Sequence, residues 1–212
     1  MAKEEILKNI QWLGHDTVRL TGSHVIYFDP YQIATDQPAD IILISHEHFD
    51  HCSPEDVAKI LKKDTVIVTD AASAKKLKGD LKVVAPGDRL QLKGVDIEVW
   101  PAYNTNKKFH PKKAGMLAFV VTLDGTRYYH AGDTDLIPEM SEIKADIAFL
   151  PVSGTYVMTA EEAVQAARTI KPTIAAIPMH YGAIVGDLKD AEKFKKALEG
   201  QVQVVILPKT DS

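Results

Sequence analysis

The hydrophobic residues of this 212-residue chain fall into short runs separated by polar turns and capped helical segments. In the first half, residues 18–20 and 24–28 flank Thr21-Gly22-Ser23 and predict a hairpin, while residues 40–44 and 65–69 are typical of buried strands. Ser53-Pro54-Glu55-Asp56 carries the signals of a helix start. Residues 71–78 predict a short helix that ends at Gly79, and residues 83–100 predict two or three more strands.

The second half of the chain repeats this order of elements. Residues 117–123 and 127–130 flank Asp124-Gly125, a strong hairpin signal, and residues 145–150 predict another buried strand. Thr159-Ala160-Glu161-Glu162 is a capping box that opens a helix to about residue 170. A strand at 173–177, a helix at 190–198 and a closing strand at 202–207 complete the pattern.

The two halves can be superposed in sequence at a constant offset of 145 − 39 = 106 residues. Ala39-Asp40-Ile41 then matches Ala145-Asp146-Ile147, and Ser53 matches Thr159. This predicts one domain over residues 1–212, built from two pseudo-repeats at about 1–106 and 107–212. Since any two strand-turn-helix units look alike, an accidental match stays open. Hairpins that feed strand-helix units predict an α/β fold of two packed mixed sheets with helices outside.

Composition and charge restrict the class of protein. The chain is 45% hydrophobic and 25% charged, which excludes disordered, collagen-like and disulfide-framework chains. Its net charge of −4 argues against a globally basic nucleic-acid binder. The single cysteine, Cys52, fits a reducing compartment. Acidic residues interrupt the first residues of the chain, where a signal peptide needs an apolar core. No apolar run reaches the ~20 residues that a membrane-spanning helix needs. We therefore expect a cytoplasmic protein without a membrane span.

The strongest chemical signal is the segment Ser45-His46-Glu47-His48-Phe49-Asp50-His51. His46 and His48 are two residues apart, so that in an extended segment both imidazoles project from the same face. Asp50 and His51 follow before the helix start, where the turning chain can direct two more ligands to the same place. Imidazole nitrogen and carboxylate oxygen are ligands of divalent metals such as zinc. The segment predicts a metal site; the alternative is a solvated polar loop.

The motif His-x-His-x-Asp-His after an apolar strand resembles the signature of the metallo-β-lactamase superfamily. Trp12-Leu13-Gly14-His15, Phe28-Asp29-Pro30 and Tyr129-His130-Ala131-Gly132-Asp133-Thr134 are similar to a branch related to ascorbate phosphate lactonases and N-acyl-phosphatidylethanolamine phospholipases. That superfamily has an αββα sandwich of two mixed β-sheets with helices on both outer faces. The resemblance therefore implies this fold for the whole chain.

Transferred residue by residue, the resemblance implies two divalent metal ions. His46, His48 and His110 would hold the first, Asp50, His51 and His180 the second, and Asp133 would bridge them. Asp29 would orient a ligand by hydrogen bonding, and His15, in the Gly-His turn, is a second candidate for such a role. For His110 an exposed loop histidine is the alternative. We expect zinc, with manganese, iron or nickel as alternatives, because these ligand types select weakly among metals. For His15, His24 and His130 a structural role is favoured, and for Cys52 a packing role.

A dinuclear site without a separate nucleophile implies activated water. The chain is then expected to hydrolyse an ester, lactone, amide or phosphodiester bond of a small-molecule substrate, with Asp50 acting in proton transfer as well as ligation. Four lysines around His110 could attract an anionic substrate or could simply be solvated; they are Lys107, Lys108, Lys112 and Lys113. Tyr103, Tyr156 and Tyr181 could line a pocket or belong to the core.

Two other functions of the same fold remain as alternatives. One is a nuclease or RNA-processing phosphodiesterase, against which the net charge of −4 and the lack of a basic extension argue. The other is a di-iron redox protein; that use generally replaces a motif histidine by an acid, whereas His46 and His48 are both present. Nothing in the sequence indicates an oligomeric state.

Overall fold

The structure of the protein is a computed structural model that describes residues 3–34 and 37–210. Within these residues the chain forms four α-helices and twelve β-strands. The helices are α1 (Lys3–Lys8), α2 (Pro54–Ile60), α3 (Ala160–Ile170) and α4 (Leu188–Ala197). The strands are β1 (Ile10–Gly14), β2 (Thr17–Thr21), β3 (Val25–Phe28), β4 (Ile41–Ile44), β5 (Val66–Thr69), β6 (Asp80–Val83), β7 (Arg89–Leu92), β8 (Val95–Pro101), β9 (Leu117–Leu123), β10 (Thr126–His130), β11 (Ile147–Pro151) and β12 (Ala175–Met179).

The strands form two mixed sheets of six strands each. The first sheet has the order β1-β2-β3-β4-β5-β6, antiparallel up to β3 and parallel from there on. The second has the order β12-β11-β10-β9-β8-β7, with β10, β11 and β12 parallel and the rest antiparallel. In both sheets, consecutive strands are therefore neighbours.

Strand β4 illustrates how the layers pack. All four of its residues are buried, and alternate side chains point to opposite faces of the sheet. Ile41 and Leu43 lie in the hydrophobic core shared with the second sheet, whereas Ile42 and Ile44 pack with α2 on the outer face. Helix α3 packs on β11 outside the second sheet, and α4 contacts both α3 and β12. The predicted sandwich with helices on both outer faces is confirmed.

Two of the predicted helix starts have the expected capping contacts. Ser53 caps α2, where its hydroxyl accepts the N–H of Asp56. At the start of α3, Thr159 accepts the N–H of Glu162 while the Glu162 carboxylate accepts the N–H of Thr159, which is the full capping box. Helix α3 accordingly begins and ends as predicted.

Two predicted elements are wrong. Residues 71–78 form only a short 3₁₀ turn at Ser73–Lys75, because a short helix with few side chains to bury is only marginally stable. Residues 202–207 form no strand, although the Ala176 N–H donates to Gln203 and the Ala176 carbonyl accepts from Val205. The next residue of β12 that faces the same way is Pro178, which has no N–H to continue the ladder. The strand predicted at 173–177 begins two residues later.

The two sheets share a common plan, since each places an antiparallel hairpin beside parallel strands separated by a capped helix. The strand at Ile41–Ile44 and the one at Ile147–Pro151 hold corresponding positions in it. The interpretation of the chain as one domain of two copies stays a prediction. No helix in the described part of the chain is long and apolar enough to cross a membrane.

Candidate metal centre

The predicted ligands lie on loops at one end of both sheets. The segment from His46 to His51 connects the end of β4 to the start of α2, and Asp29 directly follows β3. From the second sheet, Asp133 follows β10 and His180 follows β12. His110 lies on the loop between β8 and β9. Because parallel strands end at the same edge of a sheet, these loops converge where the two sheets meet.

Three imidazoles form a first group of donor atoms. His48 Nδ1 lies 3.0 Å from His46 Nε2 and 3.3 Å from His110 Nε2. Two ligand atoms of one tetrahedral zinc ion, each ~2.0–2.1 Å from the metal, lie about 3.3 Å apart. His110 is only 1% exposed, so it is no exposed loop histidine. These three residues have the spacing of a common metal site.

Asp133 lies between this group and a second one. Its Oδ2 atom is 3.2 Å from His110 Nε2 and 4.0 Å from His46 Nε2. Its Oδ1 atom is 3.3 Å from His51 Nε2 and 3.2 Å from His180 Nε2. One carboxylate therefore presents one oxygen to each group, which is the arrangement that a bridging ligand requires.

Asp50 lies beside the second group. Its Oδ2 atom is 3.7 Å from His51 Nε2 and 3.0 Å from His15 Nε2. Asp50, His51, His180 and His15 form one cluster of donor atoms with metal-ligand spacing. Burial opposes the charge on the Asp50 carboxylate, but the hydrogen bond from His15 and the nearby His51 lower its pKa to about 2. Asp50 is therefore ionised at neutral pH and available as a ligand.

A second partner fixes the orientation of four of the five imidazoles. On each of these rings Nδ1 faces a partner outside the cluster: Ser45 Oγ at 2.9 Å from His46, Asp29 Oδ2 at 2.8 Å from His51, the Tyr156 carbonyl at 3.2 Å from His110, and Ser153 Oγ at 2.9 Å from His180. With Nδ1 as donor, the Nε2 lone pair of each ring faces the cluster. Among the five rings, His48 alone presents its Nδ1 atom, not Nε2, to the cluster.

Buried polar atoms without hydrogen-bond partners test whether the cluster fits a cation. His51 Nε2, His180 Nε2 and Asp133 Oδ1 are buried and have no hydrogen-bond partner. Leaving such atoms unpaired is costly, so they are expected to have a ligand in the functional protein. All three belong to the second group of donors. The donor set and its unpaired atoms therefore fit a divalent metal ion.

The electrostatics of the two groups differ. Burial lowers the pKa of His46 well below its usual value, and the neighbouring His51 acts in the same direction. In the second group burial also opposes a charged ring, but Asp133 and Asp16 raise the pKa of His180 to about 9. Asp133 and Asp29 likewise raise the pKa of His51 well above its usual value. A metal entering the second group must therefore displace protons.

Asp29 connects the two loops of the first sheet. Its Oδ1 accepts the backbone N–H of Ser45 at 2.7 Å, and its Oδ2 accepts the Ser45 hydroxyl at 2.6 Å and His51 Nδ1 at 2.8 Å. Since the Ser45 hydroxyl in turn faces His46, Asp29 orients one imidazole of each donor group. Asp29 therefore makes the hydrogen bonds that its predicted orienting role requires.

Several residues of the centre adopt the left-handed backbone conformation. His15, Asp29 and His180 have φ angles of 51°, 41° and 60°. This conformation costs a residue other than glycine roughly 1–2 kcal/mol, and strained positions of this kind cluster at functional sites. Gly132, beside Asp133, has a φ of 58°, and a Cβ there would lie 2.8 Å from the Leu117 carbonyl oxygen. The close approach of the loop after β10 to the start of β9 requires glycine here.

Asp16 was not among the residues selected from the sequence. Its side chain is fully buried, neither carboxylate oxygen has a hydrogen-bond partner, and Oδ2 lies 3.8 Å from His51 Nδ1. Asp16, His51, Asp133 and His180 form a further cluster with metal-ligand spacing. Burial raises the pKa of this carboxyl well above its usual value. The only sequence signal was its position directly after His15 in the turn between β1 and β2.

The remaining histidines and Cys52 lie outside the donor groups. His130 is buried, where it donates from Nε2 to the Asp16 carbonyl at 2.8 Å and stacks on Phe28. His24 is partly exposed in the turn before β3 and contacts Ser23. Cys52 is buried in the apolar cluster under α2, and burial raises its thiol pKa to about 11.

Two of the four lysines around His110 pair with acidic side chains of the fold. Lys107 Nζ lies 2.6 Å from the buried Asp135 carboxylate, and Lys112 Nζ lies 2.8 Å from Glu139.

Of the three tyrosines, Tyr103 is buried and donates to Glu139, Tyr181 is buried against Trp12, and Tyr156 lines a cavity beside the donor atoms.

Known proteins share this sequence and architecture. The family model described as a beta-lactamase superfamily domain matches residues 9–180. A UPF0173 metal-dependent hydrolase from Methanoculleus marisnigri is 36% identical over 90% of this chain and 88% of its own length, and one from Thermoplasma acidophilum is 34% identical over 95% and 96%. The crystal structure of a candidate metal-dependent hydrolase from Parabacteroides distasonis superposes with a TM-score of 0.84 at 40% identity, over 93% of this chain and 91% of that one.

Proposed function

The chain is a metal-dependent hydrolase of the beta-lactamase superfamily, and we propose that its centre holds two divalent metal ions. The reaction is the hydrolysis of an ester, lactone, amide or phosphodiester bond of a small molecule. The observation that carries the proposal is the position of Asp133, with one oxygen near His110 and the other near His51 and His180.

In the proposed centre each residue has a defined task. His46, His48 and His110 hold the first ion, and Asp50, His51 and His180 hold the second. Two such ions, when bound, lower the pKa of water toward neutrality and polarise the oxygen of the scissile carbonyl or phosphoryl group. Zinc suits the three nitrogen donors of the first group, while the carboxylates of the second group also suit manganese or iron.

The protein's own groups then manage the protons of hydrolysis. Water adds its oxygen to the scissile centre, the bond to the leaving group breaks, and the leaving group departs with a proton that came from the water. Asp50 is ionised, is more exposed than Asp133, and is hydrogen-bonded to His15. These features support Asp50 as the group that takes up and returns this proton, with His15 holding its carboxylate in place.

Metal analysis of Asp133→Asn tests the dinuclear assignment. The parent protein is expected to bind about two equivalents of zinc or manganese by elemental analysis, and Asp133→Asn one equivalent or fewer, with loss of hydrolysis. Asp146→Asn is the control, because Asp146 is an aspartate of the same sheet that accepts the backbone N–H of Arg127 but precedes β11, at the end of the sheet opposite to the donor atoms. Two equivalents retained by Asp133→Asn would contradict the bridging role.

A further inference from the structure

Apolar side chains surround the mouth of the proposed metal centre. Within residues 3–34 and 37–210, five large hydrophobic residues are exposed, and three of them line one cavity. These three are Phe49, Phe109 and Ile184, which are 66%, 51% and 40% exposed. They come from three different loops, so that their meeting is a property of the fold rather than of one local run. Isolated exposed apolar residues are ordinary, but a group around a pocket marks a binding surface.

The same cavity reaches the donor atoms. It has a volume of about 310 Å³, and its lining joins the apolar side chains and Tyr156 to His48, Asp50, His110 and Asp133. A molecule whose reacting bond lies at the donor cluster therefore has its adjoining group against these apolar residues. Binding pockets combine such apolar walls with a few polar groups that orient the ligand.

Ring contacts hold the two phenylalanines in place. Phe109 packs edge-to-face on Tyr156, with ring centroids 4.7 Å apart. Phe49 packs in the same manner on Tyr31 at 5.9 Å. Such contacts restrict each ring, so a ligand loses little affinity to the ordering of the pocket wall.

The cationic side chains near the cavity are not part of its lining. Among the described residues, no lysine or arginine lines the cavity. Lys107 and Lys112, which flank the loop of His110, form ion pairs with Asp135 and Glu139 at 2.6 and 2.8 Å. Of the two interpretations of this lysine-rich loop, attraction of an anionic substrate therefore finds no support in the lining of the cavity.

We propose that the cavity binds the apolar acyl chain of a neutral carboxylic ester, whose carbonyl lies at the donor cluster; this rests on the proposed function. In the reaction, water oxygen bonds to the carbonyl carbon and the carbon–oxygen bond to the alcohol breaks. The alcohol leaves with one proton of the water, and the fatty acid retains the water oxygen. Phe49, Phe109 and Ile184 determine specificity through the area that the chain buries against them.

A homologous series of substrates tests the acyl cavity. Using the full chain loaded with zinc or manganese, kcat/KM is measured for p-nitrophenyl acetate, butanoate, hexanoate and octanoate. Each methylene buried in the cavity is expected to raise kcat/KM about fourfold until the cavity is full. Bis(p-nitrophenyl) phosphate, an anionic diester, is expected to react more slowly than the octanoate.

Alanine variants test which side chains cause the dependence of kcat/KM on chain length. In Phe49→Ala and Phe109→Ala the octanoate-to-acetate ratio of kcat/KM is expected to fall about fifteenfold, as when two methylenes lose their contacts. Val83→Ala is the matched control, because Val83 is 55% exposed on the edge strand β6, outside the cavity. Its ratio should equal that of the parent protein.

Binding without turnover separates the two proposals. 2-Octanone, a neutral analogue without a scissile bond, is expected to bind more tightly than 2-butanone in calorimetry, with a negative heat-capacity change, to the parent and to Asp133→Asn. If esters, lactones, amides and phosphodiesters all resist hydrolysis while 2-octanone binds, the proposed function fails and the cavity assignment stands. If esters react without chain-length dependence, or the phosphodiester reacts faster than the octanoate, the acyl cavity is refuted.

Discussion

Replacing Asp29 by asparagine tests how far the metal centre depends on a residue that touches no metal in the proposed arrangement. The Asp29 carboxylate is 1% exposed and accepts three hydrogen bonds of 2.6 to 2.8 Å, two from Ser45 and one from His51. In an asparagine, one oxygen becomes an NH₂ group that faces at least one donor in either orientation of the amide. At least one charge-assisted hydrogen bond is therefore lost.

The hydrogen bonds of Asp29 set the expected loss of stability and of metal affinity. A hydrogen bond to a charged group contributes about 1.5–3 kcal/mol, so Asp29→Asn is expected to lower the unfolding free energy of the metal-free protein by about that amount. Because Asp29 also fixes Nδ1 of His51, we expect metal affinity to fall about 10–100-fold, as for other groups that orient a metal-ligating histidine. The affinity loss corresponds to about 1.4–2.7 kcal/mol.

Two measurements on two variants check this reasoning. Urea unfolding in the presence of a chelator gives the stability, and titration against a chelator of known affinity gives zinc binding. Asp56→Asn is the matched control, since Asp56 also accepts backbone hydrogen bonds, from Gln32 and Ile33, but at the start of α2. It should lose stability and keep its metal affinity. Equal affinity losses in both variants would refute the orienting role of Asp29.

Three further substitutions or treatments have defined outcomes. Gly132→Ala places a Cβ 2.8 Å from the Leu117 carbonyl oxygen at a φ of 58°, so unfolding and metal analyses should show lower stability by about 1–3 kcal/mol and less bound metal. Asp16→Asn replaces a buried carboxyl oxygen that has metal-ligand spacing to the second donor group; chelator titration should show weaker binding of the second metal equivalent and unchanged binding of the first. Cys52, whose thiol pKa burial raises to about 11, should remain protonated and resist iodoacetamide at pH 8 until the protein is unfolded.

The fold was predictable because its signals are local. The apolar run of β4 and the capping box at Thr159 each specify an element within a few residues, and the structure has both. The segment 202–207 was mispredicted because its partner, β12, contains Pro178, and the consequence for pairing appears only once the sheet is assembled.

In the candidate centre, too, only the residues that are close in sequence could be predicted from a local pattern. His46, His48, Asp50 and His51 are close in sequence, so their pattern alone indicated a metal site. His110, Asp133 and His180 were assigned by resemblance, and the structure brings them to the same cluster. Which ring nitrogen faces the cluster depends on partners that are distant in sequence. The Tyr156 carbonyl orients His110, and Ser153 orients His180. Asp16 has no sequence pattern of its own; only its burial without partners reveals it.

The left-handed backbone at His15, Asp29 and His180 has a consequence for directed evolution. Glycine adopts this conformation without the steric penalty that an aspartate or histidine bears. Substitution of His15 or His180 by glycine would relieve backbone strain while it deletes a group of the proposed centre, whereas at Asp29 the loss of three hydrogen bonds outweighs that relief. A selection for heat resistance alone, carried out in the presence of a chelator, would therefore enrich inactive variants at His15 and His180. Thermostabilisation of this enzyme should be selected with metal bound, so that stability and the intact centre are favoured together.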